Sequence, residues 1–142
     1  DGTKMLLVGW AADGFPIYTS RAHSVATSAA SSLKQMRSSW QLKKGERTGG
    51  PGGQPDGKFA ADYEFVKGSG DLDECSGRFG VTPEFPQGTY YYCITEEFPQ
   101  LARAWRGTPD ASFFKRGPGP AGRPGGGRPR QFGAPPPLPV RP

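Results

Sequence analysis

The sequence predicts an α+β fold: a small β-rich domain with one main helix and long Gly-rich loops, followed by a disordered Pro/Gly/Arg tail. Three observations lead there. Short apolar or alternating blocks at residues 5–12, 59–65 and 89–95 are bounded by turn residues, the mark of strands. One stretch, 24–40, changes to a helical period. Composition then breaks near residue 117: residues 117–142 hold 7 of the 22 Gly, 9 of the 16 Pro and four Arg, with no acid.

That break reassigns the charge. The chain carries +5 over 142 residues, but residues 1–116 hold 14 bases and 13 acids, so the domain is nearly neutral. The net charge therefore gives no ground for a nucleic-acid-binding domain, and nucleic acid is not an expected partner. The longest apolar run, Met5 to Ala12, falls far short of the roughly 20 residues that span a bilayer, so no transmembrane segment is expected. The chain opens at Asp1 without an initiator Met, a basic segment or a cleavage site, and reads as a mature chain or an excerpt.

Taken in order, residues 5–12 read as a buried strand closed by the turn dipeptide Asp13-Gly14, with Phe15 to Tyr18 extended after it. Val25, Ala29, Leu33, Met36 and Trp40 fall at helical spacings and predict the helix over 24–40; its many serines leave packing to hold it. Residues 43–57 contain six Gly and two Pro and read as a mobile loop. Phe59, Ala61, Tyr63 and Phe65 alternate with polar or small residues as a strand with one apolar face. A second Gly- and acid-rich loop, 67–80, leads to a strand from Gly88 on which Tyr90, Tyr92 and Ile94 face one way and Tyr91, Cys93 and Thr95 the other. Phe98 to Arg106 predicts a helical turn carrying Leu101 and Trp105. The tail lacks the apolar content to offset its ordering entropy and reads as polyproline II or coil.

Four blocks carry a resemblance: Val8 to Tyr18 (VGWAADGFPIY), Gly70 to Pro86 (GDLDECSGRFGVTPEFP), Gly88 to Tyr92 (GTYYY) and Arg106 to Phe113 (RGTPDASF). Together they resemble the YHYH-domain family of bacterial proteins, with coverage from about residue 3 to 115. The resemblance implies an exported protein, periplasmic or extracellular, of a family without an established activity. It also implies that the His-containing motif naming the family lies upstream of Asp1, so that 1–116 is the C-terminal part of the domain. Family members often carry His where Tyr91 stands, Asn at the positions of Ser76 and Gln87, and Cys at the position of Ala104.

The acidic loop offers the main candidate site. Asp71, Asp73 and Glu74 stand close together beside Gly, with Asp56 and Asp62 before them, and clustered carboxylates suit a hard divalent cation, Ca²⁺ above all. Asp13 is a weaker fourth ligand. The spacing is not that of an EF-hand: Gly77 is seventh from Asp71 and Thr82 occupies the twelfth place. The competing reading is that these acids cap turns, pair with Arg78 or are simply solvated. His23 is the only histidine, so this chain alone supplies no two-His metal site. Cys75 and Cys93 are the only cysteines. The compartment implied by the resemblance favours a disulfide between them, stabilising by about 3 kcal/mol; the alternative is two free thiols with Cys93 in the core. Gly49 to Gly53 lacks the Gly-Lys-Ser/Thr ending of a phosphate loop. In the tail, Pro136 to Arg141 fits an SH3-ligand pattern, and Arg123, Arg128, Arg130 and Arg141 suit an anionic envelope polymer.

Function is expected to be a non-catalytic cation- or ligand-binding module of the cell envelope. Two alternatives stand beside it: a metal-assisted enzyme whose histidines lie upstream, and an adhesive protein binding through the tail.

Overall fold

Four strands form the central sheet. The computed structural model describes residues 3–114, and β1 (Leu7–Trp10), β2 (Pro16–Tyr18), β8 (Thr89–Cys93) and β7 (Gly77–Gly80) lie side by side in that order. The β1–β2 connection is the hairpin that Asp13-Gly14 predicts. Gly14 sits at φ +83°, where a side chain would be strained, and Ala11 N donates to the Phe15 carbonyl at 2.8 Å. Between Leu7 and Gly9 the register slips, leaving Val8 as an extra residue. β1 is not the buried strand expected: it forms the sheet edge, and Val8 and Trp10 are each 56% exposed. β2 pairs in parallel with β8, Ile17 opposite Tyr92 and Tyr18 opposite Cys93, while β7 pairs antiparallel on the far side of β8. Alternation along β8 is as read: Tyr91 and Cys93 enter one core cluster, with Met5, Tyr18, Ala22, Met36 and Leu72, and Tyr90 and Tyr92 enter another, with Ala11 and Cys75.

No helix occupies 24–40. Residues Arg21–His23 form β3 and Leu33–Gln35 form β4, an antiparallel ribbon, and Trp40–Leu42 form β5. The apolar stripe misleads because only Met36 of its five residues is buried; Val25 is 54% exposed. The serines explain the choice. Ser31 Oγ donates to the carbonyls of Ser28 (2.8 Å) and Val25 (3.3 Å) and accepts from Val25 N, and the buried Ser39 Oγ bonds the Leu72 carbonyl. Side chains that bind nearby backbone in this way favour turns over helix. The fold is β-rich, with only single 3₁₀ turns at Ala60–Asp62 and Ala111–Phe113 among the described residues.

The strand expected over 59–65 is likewise shortened to β6 (Tyr63–Phe65), which pairs with β5. The Asp62 side chain, 1% exposed, accepts from Arg47 Nε (2.7 Å) and Nη2 (2.9 Å) and from the backbone amide of Gly57 (3.1 Å), which folds residues 60–62 into a 3₁₀ turn. Arg47 also reaches Asp56 and the Gly52 carbonyl, so the Gly-rich loop 43–57 is pinned on a buried ion pair instead of hanging free. Phe98 to Arg106 makes turns and bends, not a helical turn; Phe98 stacks on Tyr63 with ring centroids 3.9 Å apart. The predicted tail, with Arg123, Arg128, Arg130 and Arg141, lies outside the described residues.

Candidate functional site

The face of the central sheet that carries Tyr90 and Tyr92 assembles residues from all four motif blocks. Tyr90 donates its hydroxyl to the Asp73 carboxylate, with the two oxygens 2.9 and 3.0 Å away. Asp73 Oδ1 also accepts from the amides of Cys75 (2.9 Å) and Gly77 (3.1 Å), so one carboxylate closes its own turn and anchors a tyrosine two strands of sequence away. One residue pair along β8, Tyr92 donates to Asp13 Oδ2 at 2.5 Å, and that oxygen also accepts from Gly107 N at 2.9 Å. Arg106 N donates to the Tyr92 hydroxyl at 2.7 Å, while the Arg106 guanidinium lies over the Tyr90 ring. Phe15 packs edge-on against Tyr90 and Tyr92, and Trp105 against Tyr92.

Glycines make the approach possible. A Cβ on Gly77 would stand 2.3 Å from the Tyr90 hydroxyl and 2.6 Å from the Tyr91 carbonyl oxygen, and one on Gly107 would stand 3.3 Å from both Asp13 Cβ and the Phe15 ring. Two buried oxygens on these motif blocks have no hydrogen-bond partner among the described residues: Asp13 Oδ1 and Ser76 Oγ. Ser76 also holds a left-handed backbone, φ 60°, between Cys75 and the glycine of β7.

The acidic loop is not a single cradle. Asp71 turns away to accept from Lys34 Nζ (2.6 Å) and Arg37 N (3.0 Å); burial pushes its carboxyl up, and these donors together outweigh burial and hold it below the usual carboxylate range. Asp73 faces Tyr90, and Glu74 contributes its backbone carbonyl to the Trp40 indole at 3.1 Å. Asp56 and Asp62 hold Arg47. Arg78 pairs with no acid among the described residues; it donates to Tyr91 and to the His23 carbonyl. His23 itself lies on β3, with Nδ1 3.1 Å from the Ser31 carbonyl oxygen. Of the four residues read as metal ligands, the structure brings Asp13 and Asp73 to one face and leaves Asp71 and Glu74 apart. Among the described residues no three His, Cys, Asp or Glu side chains converge as a metal cage.

The cysteines are free, not joined, and each is buried. Their surroundings explain it: Cys93, on β8, packs in the Tyr91 cluster, and Cys75, in the turn before β7, packs in the Tyr90–Tyr92 cluster. Burial, and then the charges of Asp73 and Glu74, push the Cys75 thiol up to about 11; burial pushes Cys93 up to about 12. Tyr90 and Tyr92 are raised as well, each by burial first, Tyr90 next by Asp73 and Tyr92 also by its bond to Asp13, with the Arg106 amide opposing. The arrangement keeps every phenol and thiol on this face protonated.

Asp13 and Asp73 stand out in the sequence as candidate ligands, whereas nothing there pairs them with Tyr90, Tyr92, Arg106 and Gly107. The signal was present, since each of these residues belongs to one of the four blocks; what was lacking was the pairing of the blocks. Residues 1–107 match a family model described as YHYH protein. No curated protein and no solved structure matches the chain.

Proposed function

The chain belongs to the YHYH protein family, and from that premise we propose that it is an exported, non-catalytic module of the cell envelope that binds a ligand or cation without transforming it. The state of the reactive groups supports the non-catalytic part. Cys75 is a thiol with no histidine beside it, and Tyr90 and Tyr92 are hydrogen-bonded donors, so none of these three groups is a poised nucleophile.

The observation that carries the binding part is Asp13 Oδ1. Its twin oxygen accepts from Tyr92 and Gly107, while Oδ1 is buried with no partner among the described residues. A buried carboxylate oxygen left this way is costly, and a donor or cation from outside the chain removes the cost. One open oxygen does not make the six- to eight-oxygen cage of Ca²⁺. The Ca²⁺ preference drawn from the acidic loop does not carry over to this oxygen.

Calorimetric titration of chelator-treated protein with Mg²⁺, Mn²⁺ and Ca²⁺, followed also by tryptophan fluorescence because Trp105 lies 6.4 Å from the Tyr92 ring, tests this. The expected result is saturable binding of one of these ions, at least tenfold weaker in Asp13→Asn. Absence of heat and of a fluorescence change with all three ions, or binding that Asp13→Asn leaves intact, removes the reading.

A further inference from the structure

At the opposite end of β2 from Asp13 lies a cleft of about 270 Å³ that no motif block accounts for. β2 and β8 run parallel, and Ile94 N donates to the Tyr18 carbonyl at 2.9 Å, so both strands leave the sheet at the same end. Their exits then diverge. After Tyr18 the chain turns through Thr19 and Ser20 into β3, and after Cys93 it runs through Ile94 and Thr95 to a turn closed by Thr95 N on the Gln100 carbonyl. Divergent exits from adjacent parallel strands leave a crevice at their carboxyl ends, the position at which open α/β sheets take up ligands.

The walls have a definite chemistry. Lys4 and Arg21 both line the cleft, and neither makes an ion pair with a described residue. Lys4 is held there by its backbone: its carbonyl accepts from Thr19 Oγ1 at 3.1 Å, and Thr19 N donates to the Leu6 carbonyl at 3.0 Å. In a domain whose bases and acids nearly balance, two cations at one concavity with no ion pair among the described residues and one carboxylate, Glu96, beside them are not explained by overall charge. Ser20 adds a hydroxyl, Glu96 a carboxylate and Ile94 an apolar wall. The volume lies near the lower edge for small-molecule sites, roughly 300 Å³.

We propose that this cleft binds a small hydroxylated organic anion of monosaccharide size, its anionic group on Lys4 and Arg21 and its hydroxyls on Ser20 and Glu96. The anion is a carboxylate or a phosphate, as in a sugar acid or a sugar phosphate. The proposal is independent of the Asp13 reading, and either can fail alone.

The test is a ¹⁵N-resolved NMR titration of the full 142-residue chain with glucuronate, glucose 6-phosphate and uncharged glucose. Site-resolved shifts separate the cleft from the basic tail. The expected result is a saturable shift of the Thr19–Arg21 and Ile94–Glu96 amides with at least one anion and none with glucose; response to glucuronate alone or to glucose 6-phosphate alone identifies the anionic group. Lys4→Gln, at an exposed position, and Arg21→Gln each weaken binding tenfold or more, while Arg21→Lys recovers part of it. The proposal is overturned by no saturable shift with either anion, by equal response to glucose, or by affinity unchanged in both Gln variants.

Discussion

The two faces of the central sheet tie down their tyrosines differently. On the Tyr91 face the phenols sit among apolar side chains and meet isolated polar partners: Tyr91 accepts from Arg78 Nε at 2.7 Å, and Tyr18 donates to Glu84 at 2.6 Å beside the Thr82 hydroxyl. On the Tyr90–Tyr92 face both phenols donate to aspartates that are themselves held by backbone amides. The first face is an apolar core with polar trim. The second is a hydrogen-bonded frame that ties distant segments together, and the four motif blocks supply it. A cavity in the first face should therefore cost packing, whereas a single missing acceptor in the second leaves several buried donors unsatisfied.

The largest expected effect is Gly77→Ala. The new methyl has no room between the Tyr90 hydroxyl and the Tyr91 carbonyl, and backbone on one side cannot yield, so a loss of more than about 3 kcal/mol is expected in urea denaturation. Next comes Asp73→Ala, which strands the Tyr90 hydroxyl and two amides and should lose roughly 3 kcal/mol or more. Met36→Ala on the opposite face should lose about 2–5 kcal/mol as a cavity while leaving the exchange protection of the Cys75 and Gly77 amides unchanged. If Met36→Ala exposes those amides as Asp73→Ala does, the two faces are not distinct.

Alkaline pH separates the faces further. Burial raises all three phenols of β8, but Asp73 adds to the rise at Tyr90, whereas Arg78 opposes it at Tyr91. A phenol raised on folding contributes its full stability below its unfolded value, about 10, and loses that contribution as pH climbs beyond it. Stability should thus fall between about pH 10 and 12, and the fall should be shallower in Tyr90→Phe than in Tyr91→Phe; equal slopes would undo the distinction. The smallest effect is a gain. Ser76→Gly relieves the left-handed strain and removes a buried hydroxyl without a partner, against the entropy of an added glycine, for a net stabilisation of up to about 1 kcal/mol, seen as a Tm rise of a few degrees.

What the sequence made legible was local. The Asp13-Gly14 hairpin and the alternation of Tyr90, Tyr91 and Tyr92 follow from turn chemistry and a period of two, and both stand in the structure. The helix over 24–40 failed because Val25, Ala29, Leu33, Met36 and Trp40 have the right spacing, and the serines between them have the wrong chemistry. The buried Arg47–Asp62 pair had no local signal at all, since one partner sits in a Gly-rich loop and the other inside an alternating run. The site was half legible for the same reason. Asp13 and Asp73 stood out as acids, but the Asp13 contacts span 79 and 94 residues of chain, and no short-range pattern encodes which tyrosine meets which carboxylate.

The Asp13–Tyr92 bond clamps the first motif block to the third and, with Gly107, to the fourth. A double-mutant cycle of Asp13→Ala and Tyr92→Phe, with stability measured by urea denaturation, tests it most directly. The predicted result is a coupling of about 1 kcal/mol or more between the two positions. Losses that add to within about 0.3 kcal/mol would contradict it.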